Sequence, residues 1–260
     1  MLDFSYLSQA YGIYLLLVIR CNGFLTTAPF FSSRNIQVSI RVFLSLLLAL
    51  ILLPFFSVAD LMLPISIWTL VLMLLQEAAL GLVLGYITSI IFAAFQVAGQ
   101  IIDMQMGFGM INVLDPQSGT QVPLIGNFLY LMAMLIFLAY DGHHSLLHGL
   151  WTSFRLVPPG KIWGGQNLLW EVVRAIVVMF VIGLEIATPV LGALFLADLA
   201  LAILARTMPQ LNIFVVGLPL KSLLGLFTLA LSLPVYGVFL QIVLTEVQRT
   251  LEYILSIIPP

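Results

Sequence analysis

Residues 62–96 read MLPISIWTLVLMLLQEAALGLVLGYITSIIFAAFQ and carry the strongest structural signal in the chain. They contain one charged residue, Glu77, and no proline occurs between Pro64 and Pro116. A helix that rises about 1.5 Å per residue would extend roughly 50 Å over this stretch, well beyond the hydrocarbon core of a bilayer. The stretch therefore predicts a long helix in a membrane or in another apolar environment.

The composition of the whole chain agrees with this prediction. Of the 260 residues, 62% are apolar and 8% are charged, whereas a soluble domain carries roughly 25% charged residues. So few charges cannot cover a soluble surface, which excludes a soluble enzyme as well as a disordered chain. A net charge of −2 without a basic run also excludes nucleic acid as a partner.

Six apolar spans are candidates for crossing a bilayer. Pro189 and Pro234 fall inside the last two spans and are expected to kink or end those helices. The predicted fold class is all-α, a polytopic helical membrane protein of about six long, kinked helices or hairpins, with residues 1–260 forming a single membrane domain. The spans lie at about 10–31, 38–56, 62–96, 124–140, 172–204 and 220–256.

Glu77, Glu185 and Asp198 lie within apolar spans, and we expect these carboxylates to be buried. A charge at this depth costs at least about 2.5–3.5 kcal/mol, so such residues usually have a function or a partner. One alternative is proton translocation. The other is structural pairing with an arginine such as Arg20, and the sequence favours this pairing.

A second polar group follows the fourth span. Asp141, His144 and His148 are spaced to share one face of a helix, whereas His143 would point elsewhere. Two histidines and a carboxylate are able to bind a metal ion. The favoured interpretation is a polar cap at the membrane boundary, without a metal.

Motifs for catalysis are missing. Tyr140-Asp141 resembles half of an aspartyl protease pair but has no second half, and Ser118-Gly119 lacks a G-x-S-x-G frame. The chain has no Walker loop. Its single cysteine, Cys21, excludes an internal disulfide or a cysteine-based metal site. We therefore expect no enzymatic activity and no cofactor.

Two connections are unlike ordinary hydrophilic loops. Residues 96–123 read QVAGQIIDMQMGFGMINVLDPQSGTQVP, which is rich in Gly and Met and has no positive charge. An irregular segment of this kind at membrane depth must be enclosed by protein or line a cavity. It predicts either a soft plug in a pore or a loop at the lipid headgroups. Residues 206–221, RTMPQLNIFVVGLPLK, mix turn formers with apolar residues.

Gly81 and Gly85 form a G-x-x-x-G step that would admit a second helix.

Three blocks of the chain together resemble the FliR family, membrane components of the flagellar type III export apparatus. The first block is residues 20–54, RCNGFLTTAPFFSSRNIQVSIRVFLSLLLALILLP. The second is residues 96–123, followed by DGHHSLL at 141–147 and by Ser153-Phe154. The third is ARTMPQLNIFVVGLPLK at 205–221. Their order and spacing cover nearly the whole chain.

The resemblance implies a function that composition alone does not. Proteins of this family assemble with several copies of FliP and FliQ into an export gate for unfolded flagellar subunits, in the bacterial inner membrane at the flagellar basal body. FlhB and FlhA are implied as further partners, besides membrane lipid. The family is similar to a FliP subunit followed by a FliQ-like hairpin, which implies a FliP-like part over 1–155 and the hairpin over 168–260.

The resemblance also implies roles for individual residues. The plug of the gate would be residues 104–121, and the segment 206–221 would serve assembly. The implied plug residues are Met104, Met106, Gly107, Phe108, Gly109, Met110, Asn112, Asp115, Gln117 and Ser118. The implied assembly residues are Arg206, Pro209, Gln210, Asn212, Phe214, Gly217, Pro219 and Lys221.

Two alternatives remain at this stage. The first is the injectisome counterpart of the family, which exports virulence effectors; Gly217 favours the flagellar branch. The second is a proton-coupled transporter of small molecules that uses Glu77 and Glu185. Such a transporter would be expected to show an internal repeat, and no convincing repeat is visible.

Overall fold

The computed structural model describes residues 4–33, 35–56, 67–110, 123–161, 168–210 and 212–257. In these ranges every regular element is a helix, which confirms the predicted all-α class. The helices are α1 (Phe4–Thr27), α2 (Val38–Leu52), α3 (Ile67–Phe92), α4 (Ala94–Met106), α5 (Leu124–Ala139), α6 (Gly142–Leu156), α7 (Leu168–Thr207) and α8 (Ile213–Ile257). Short 3₁₀ turns occupy Leu53–Phe55 and Phe108–Met110.

Five helical segments of the described chain are long and apolar enough to cross a membrane, where the sequence predicted six. The pair Leu124–Ala139 and Gly142–Leu156, broken at Tyr140-Asp141, would make a sixth. The protein is therefore a membrane protein built from helices. The five segments are Gln9–Thr27, Val38–Phe55, Ile67–Met106, Trp170–Thr207 and Val215–Leu255.

The helices extend into regions that the sequence analysis treated as connections. Helix α4 continues to Met106, so the first part of the glycine- and methionine-rich segment is helical. Helix α8 begins at Ile213 and includes much of the segment 206–221. Apolar residues continue on both helices, and an apolar environment favours the backbone hydrogen bonds of a helix over an open loop.

The prolines inside the long helices do not end them. Pro189 lies within α7, and Pro219 and Pro234 lie within α8. Proline is tolerated inside membrane helices, because neighbouring groups satisfy the backbone carbonyls that lose their donors. Of the two outcomes predicted for Pro189 and Pro234, a kink or an end of the helix, the second does not occur.

The described chain forms two compact units. Residues 1–91, 141–176 and 245–260 belong to the first unit, in which α1 packs on α2 and α3. Gly81 and Gly85 of α3 lie directly against the backbone of α1, so close that a Cβ atom at either position would collide with it. The predicted G-x-x-x-G contact is therefore present. Ser89 adds a hydrogen bond of 2.7 Å to the carbonyl of Thr27.

The second unit contains residues 92–140 and 177–244. Helix α4 packs along α5, and their backbones approach most closely where Gly99 faces Gly126. A cluster of aromatic rings, Phe92, Phe95, Tyr130 and Phe137, fills the space beside this contact. The candidate site lies in this unit, at the carboxyl end of α4.

Candidate functional site

Residues 104–110, called here the methionine-glycine turn, end helix α4. Helix α4 ends within this segment at Gly107, whose φ of 85° is in the left-handed region that glycine adopts without strain. The Gly107 N–H donates to the carbonyl oxygens of Asp103 and Met104, as is usual where a helix stops. A 3₁₀ turn over Phe108–Met110 follows. Gly107 thus has a definite structural role, the end of α4.

Met104 and Met106, two of the three methionines in the turn, have different surroundings. The side chain of Met104 is 76% exposed, whereas that of Met106 is fully buried. Met106 lies on Gly225 of α8, where a Cβ atom would come within 2.7–2.9 Å of three Met106 atoms. Gly107 in turn faces the side chain of Leu218. Met106 and Gly107 of the methionine-glycine turn therefore pack against α8, whereas the exposed Met104 side chain is not part of that contact.

Asp103, one residue before the turn, is the site residue that the sequence analysis missed. Its carboxylate is buried and accepts hydrogen bonds from the Ile125 N–H (3.0 and 3.1 Å) and the Gly126 N–H (3.1 Å). No ion pair involves Asp103 in the described part of the chain. Backbone N–H groups at the positive end of the α5 dipole replace a cation. The sequence feature that could have indicated Asp103 is an acidic residue within a largely apolar stretch, as at Glu77.

A polar link joins the turn to α7 and α8. The Lys221 ammonium lies 2.8 Å from Asp198 Oδ1, and Gln105 Nε2 donates to Asp198 Oδ2 at 3.3 Å. The Asp198 side chain is 40% exposed and that of Lys221 is 18% exposed, so water screens the pair in part. Lys221, predicted to serve assembly, thus has a partner within its own chain.

The remaining predicted residues fall into three groups. Arg206, Pro209, Gln210, Asn212 and Pro219 are exposed, as surface residues for assembly would be, whereas Gly217 is buried. Gly109 is exposed and Phe108 is half-buried. The predicted residues that lie outside the described chain are Asn112, Asp115, Gln117 and Ser118, together with the side chains of Met110 and Phe214.

Of the three carboxylates predicted to be buried, only Glu77 is buried. Glu185 is exposed on α7, and Asp198 is half-exposed although Lys221 of α8 and Gln105 of α4 contact it. In the first unit, Arg20 Nε and Nη2 donate to Glu77 at 2.5 and 3.0 Å. The second Arg20 amine, Nη1, donates to the carbonyls of Ser153 and Val157 at 3.0 and 2.9 Å.

This arrangement leaves neither charge unpaired. Glu77 Oε1 also accepts from the Gly160 N–H at 2.9 Å, and the Arg20 guanidinium lies 4.4 Å from the centre of the Phe154 ring. A carboxylate and a guanidinium joined by two hydrogen bonds form a strong, geometrically specific pair. The structural pairing with Arg20, predicted as one of two alternatives, is thus the one observed.

The histidine group differs from the prediction. Asp141, His143 and His144 come together, with ligand atoms within 4.8 Å of one another, whereas His148 lines a shallow pocket with Gln248 and Glu252. The expectation that His143 points elsewhere was therefore wrong. Asp141 has a φ of 53° and precedes α6, so a turn sets the positions of these side chains instead of helical spacing. The Asp141 and His144 side chains are more than 70% exposed.

Comparison with known proteins identifies the family. The family described as bacterial export proteins, family 1, matches residues 11–247. Flagellar biosynthetic protein FliR of Bacillus subtilis (strain 168) is 39% identical over 249 residues, 94% of this chain and 95% of the relative. FliR of Aquifex aeolicus (strain VF5) is 32% identical and covers 96% of both chains, and FliR of Escherichia coli (strain K12) is 29% identical over 95% of this chain and 94% of the relative. The matched residues span most of the chain and include the whole described part of the site. The chain therefore belongs to the FliR family of bacterial export proteins.

Proposed function

We propose that this chain is a subunit of the flagellar type III protein export gate and forms, with FliP and FliQ, the pore for unfolded flagellar subunits. The single observation that carries the proposal is the match to the export family over nearly the whole chain, with relatives named flagellar biosynthetic proteins. The gate lies in the bacterial inner membrane at the basal body. FlhB and FlhA are its further partners in this proposal.

The surface of the chain supports an assembly in which lipid or other subunits cover it. Helices α2, α7 and α8 carry large apolar side chains that are more than half exposed, among them Phe43, Leu196 and Phe227. Monomeric proteins rarely leave apolar surface of this extent uncovered. A membrane accounts for part of it, and FliP and FliQ subunits for the remainder.

The methionine-glycine turn supports the role as a plug. Residue 104 offers a flexible, exposed thioether, and methionine adapts its shape to whatever it contacts. Gly109 has no heavy atom within 4 Å of the place where a Cβ would lie, so the backbone there is open. In the proposal, Met104, Phe108 and Gly109 close the pore, Met106 anchors the segment, and residues 111–121 complete the plug.

The alternatives have less support. Relatives that match over 94–96% of this chain are named as flagellar proteins, which favours the flagellar gate over the injectisome counterpart. A proton-coupled transporter would need a carboxylate that is free to titrate. Both oxygens of Glu77 are engaged by Arg20, and Glu185 does not lie in an enclosed site.

The test of the proposal is native mass spectrometry of the tagged chain, co-expressed with FliP and FliQ of the same organism. The expected result is a stable hetero-oligomer that contains a single copy of this chain. A control expression without FliP and FliQ should yield no assembly of that mass. A chain that purifies as a monomer or a symmetric homo-oligomer, even when FliP and FliQ are present, would overturn the proposal.

A further inference from the structure

We propose that Asp103 is a positioning residue, which holds the methionine-glycine turn in place by tying it to the amino end of α5. The inference rests on the proposed function, since it identifies what keeps the pore-closing segment in register. It concerns only described residues, those around Asp103 on α4 and those around Gly126 on α5.

The first backbone N–H groups of α5 need hydrogen-bond acceptors from outside that helix. The N-cap residue of this helix is Pro123, which makes no side-chain hydrogen bond to the helix. The first N–H groups of any helix have no partner inside it, and when they are buried they need one. Asp103 supplies that partner from another helix, with both carboxylate oxygens accepting from Ile125 and one also from Gly126.

Asp103 accepts hydrogen bonds with both its backbone and its side chain. Its backbone carbonyl accepts from the Gly107 N–H at the end of α4, while its carboxylate accepts from α5. One residue therefore connects the turn directly to the next helix. A local N-cap on α5 would satisfy the same N–H groups and leave the turn without that connection.

The hydrogen bonds of Asp103 join two helices that are in direct contact. The Asp103 side chain is buried, and a Cβ atom on Gly99, one helical turn earlier, would lie 2.5 Å from the Gly126 nitrogen. Asp103→Ala removes the acceptor of the Ile125 and Gly126 N–H groups and leaves them to be hydrated. If the carboxylate is lost, we expect the turn and α5 to move apart.

The experiment compares four forms of the assembled complex with FliP and FliQ, reconstituted in liposomes that are loaded with potassium ions. They are the wild type, Asp103→Ala, Asp103→Ala with Pro123→Asp, and a reference deletion of residues 107–118. Pro123→Asp places a carboxylate at the N-cap of α5 itself, so it restores the cap without restoring the connection to α4. The rate of potassium efflux is measured for each form.

The expected result is a several-fold faster efflux for Asp103→Ala and for the double variant, in the direction of the deletion. If Pro123→Asp returns efflux to the wild-type rate, Asp103 is only a helix cap and the inference is wrong. If Asp103→Ala matches the wild type while the deletion is leaky, the inference fails and the proposed function stands. If the deletion itself is not leaky, the plug role in the proposed function fails.

A second measurement reports position directly. Met104 and Phe128 are both exposed, so spin labels at Met104→Cys and Phe128→Cys, with Cys21→Ala, report the distance between the turn and α5. We expect a single narrow distance in the otherwise native protein and a broader or longer distribution with Asp103→Ala. Asp103→Asn, which keeps the volume and one acceptor oxygen, should lie between the two. An unchanged distribution in both Asp103 variants would overturn the inference.

Discussion

Two buried acids in this chain are stabilised in different ways. Glu77 lies near the middle of α3 and depends on the guanidinium of Arg20, whereas Asp103 lies near the end of α4 and uses the N–H groups of another helix. Glu77 faces the middle of α1, whose backbone N–H groups are bonded within the helix, so its donors are the Arg20 guanidinium and the Gly160 N–H. Asp103 faces the amino end of α5, where unpaired backbone N–H groups act as the donors instead.

The Arg20–Glu77 pair gives a prediction about stability. Glu77→Gln keeps the shape of the side chain but leaves the buried Arg20 without a counter-charge, so we expect a loss of about 3–5 kcal/mol. The measurement is the thermal unfolding of the purified chain in detergent, followed by circular dichroism. Replacing both partners, with Arg20→Met and Glu77→Gln, should recover part of the loss, because no unpaired charge then remains.

Glu185 provides the matched control for that substitution. Since Glu185 is exposed on α7, Glu185→Gln should change stability by no more than about 0.5 kcal/mol. Equal unfolding temperatures for Glu77→Gln and Glu185→Gln would contradict the structural role of the Arg20–Glu77 pair.

At the scale of whole helices, small residues decide which helices touch. Gly81 on α3 lies against the carbonyl of Arg20 and within 3.1 Å of the Phe24 nitrogen, measured from an added Cβ. These neighbours are backbone atoms of α1, which cannot rotate away as a side chain could. The sequence step Gly81-x-x-x-Gly85 therefore sets the separation of α1 and α3.

This contact predicts opposite effects for one substitution at two positions. Gly→Ala inside a helix normally stabilises the helix by about 0.8–1.0 kcal/mol. At Gly192 on α7 nothing lies within 4 Å of the new methyl group, so Gly192→Ala should be neutral or stabilising in the purified chain. At Gly81 the methyl group would push α1 away, and Gly81→Ala should lower the unfolding temperature. If both variants are equally stable, the close contact of α1 and α3 is not required for stability.

At the scale of the whole molecule, closure of the proposed pore would depend on the assembly. Apolar side chains on α2, α7 and α8 remain uncovered in the single chain, and in the proposed gate partner subunits cover part of them. A missing plug should therefore affect permeability far more than assembly.

The proposed gate without its plug should stay assembled but become permeable to small ions. Deleting residues 107–118 should leave the complex with FliP and FliQ intact by native mass spectrometry and should make cells that express it permeable to small ions. The matched control replaces the same residues with a Gly-Ser segment of equal length, which restores the chain length but not the plug chemistry; it should also leak. An intact complex that shows wild-type ion permeability after the deletion would remove the plug from the proposal.

Much of this protein follows from its order of apolar and polar residues. The helices, their membrane character and the close step at Gly81 depend on local composition and on periodicity along one helix, so they were predictable. The bounds of α4 and α8 were not, because glycine and proline only disfavour a helix locally, while apolar surroundings favour its continuation.

The candidate site shows where local information ends. Met104 and Met106 are two residues apart and look equivalent in the sequence, yet one is exposed and the other is seated on Gly225, more than a hundred residues along the chain. Asp103 and Gly126 are brought into contact in the same way, as are Gln105, Asp198 and Lys221. The chain composition determined that helices would form in a membrane. Only the packing of those helices decided which side chains hold the turn, because hydrogen bonds and contacts between distant residues depend on their positions in space.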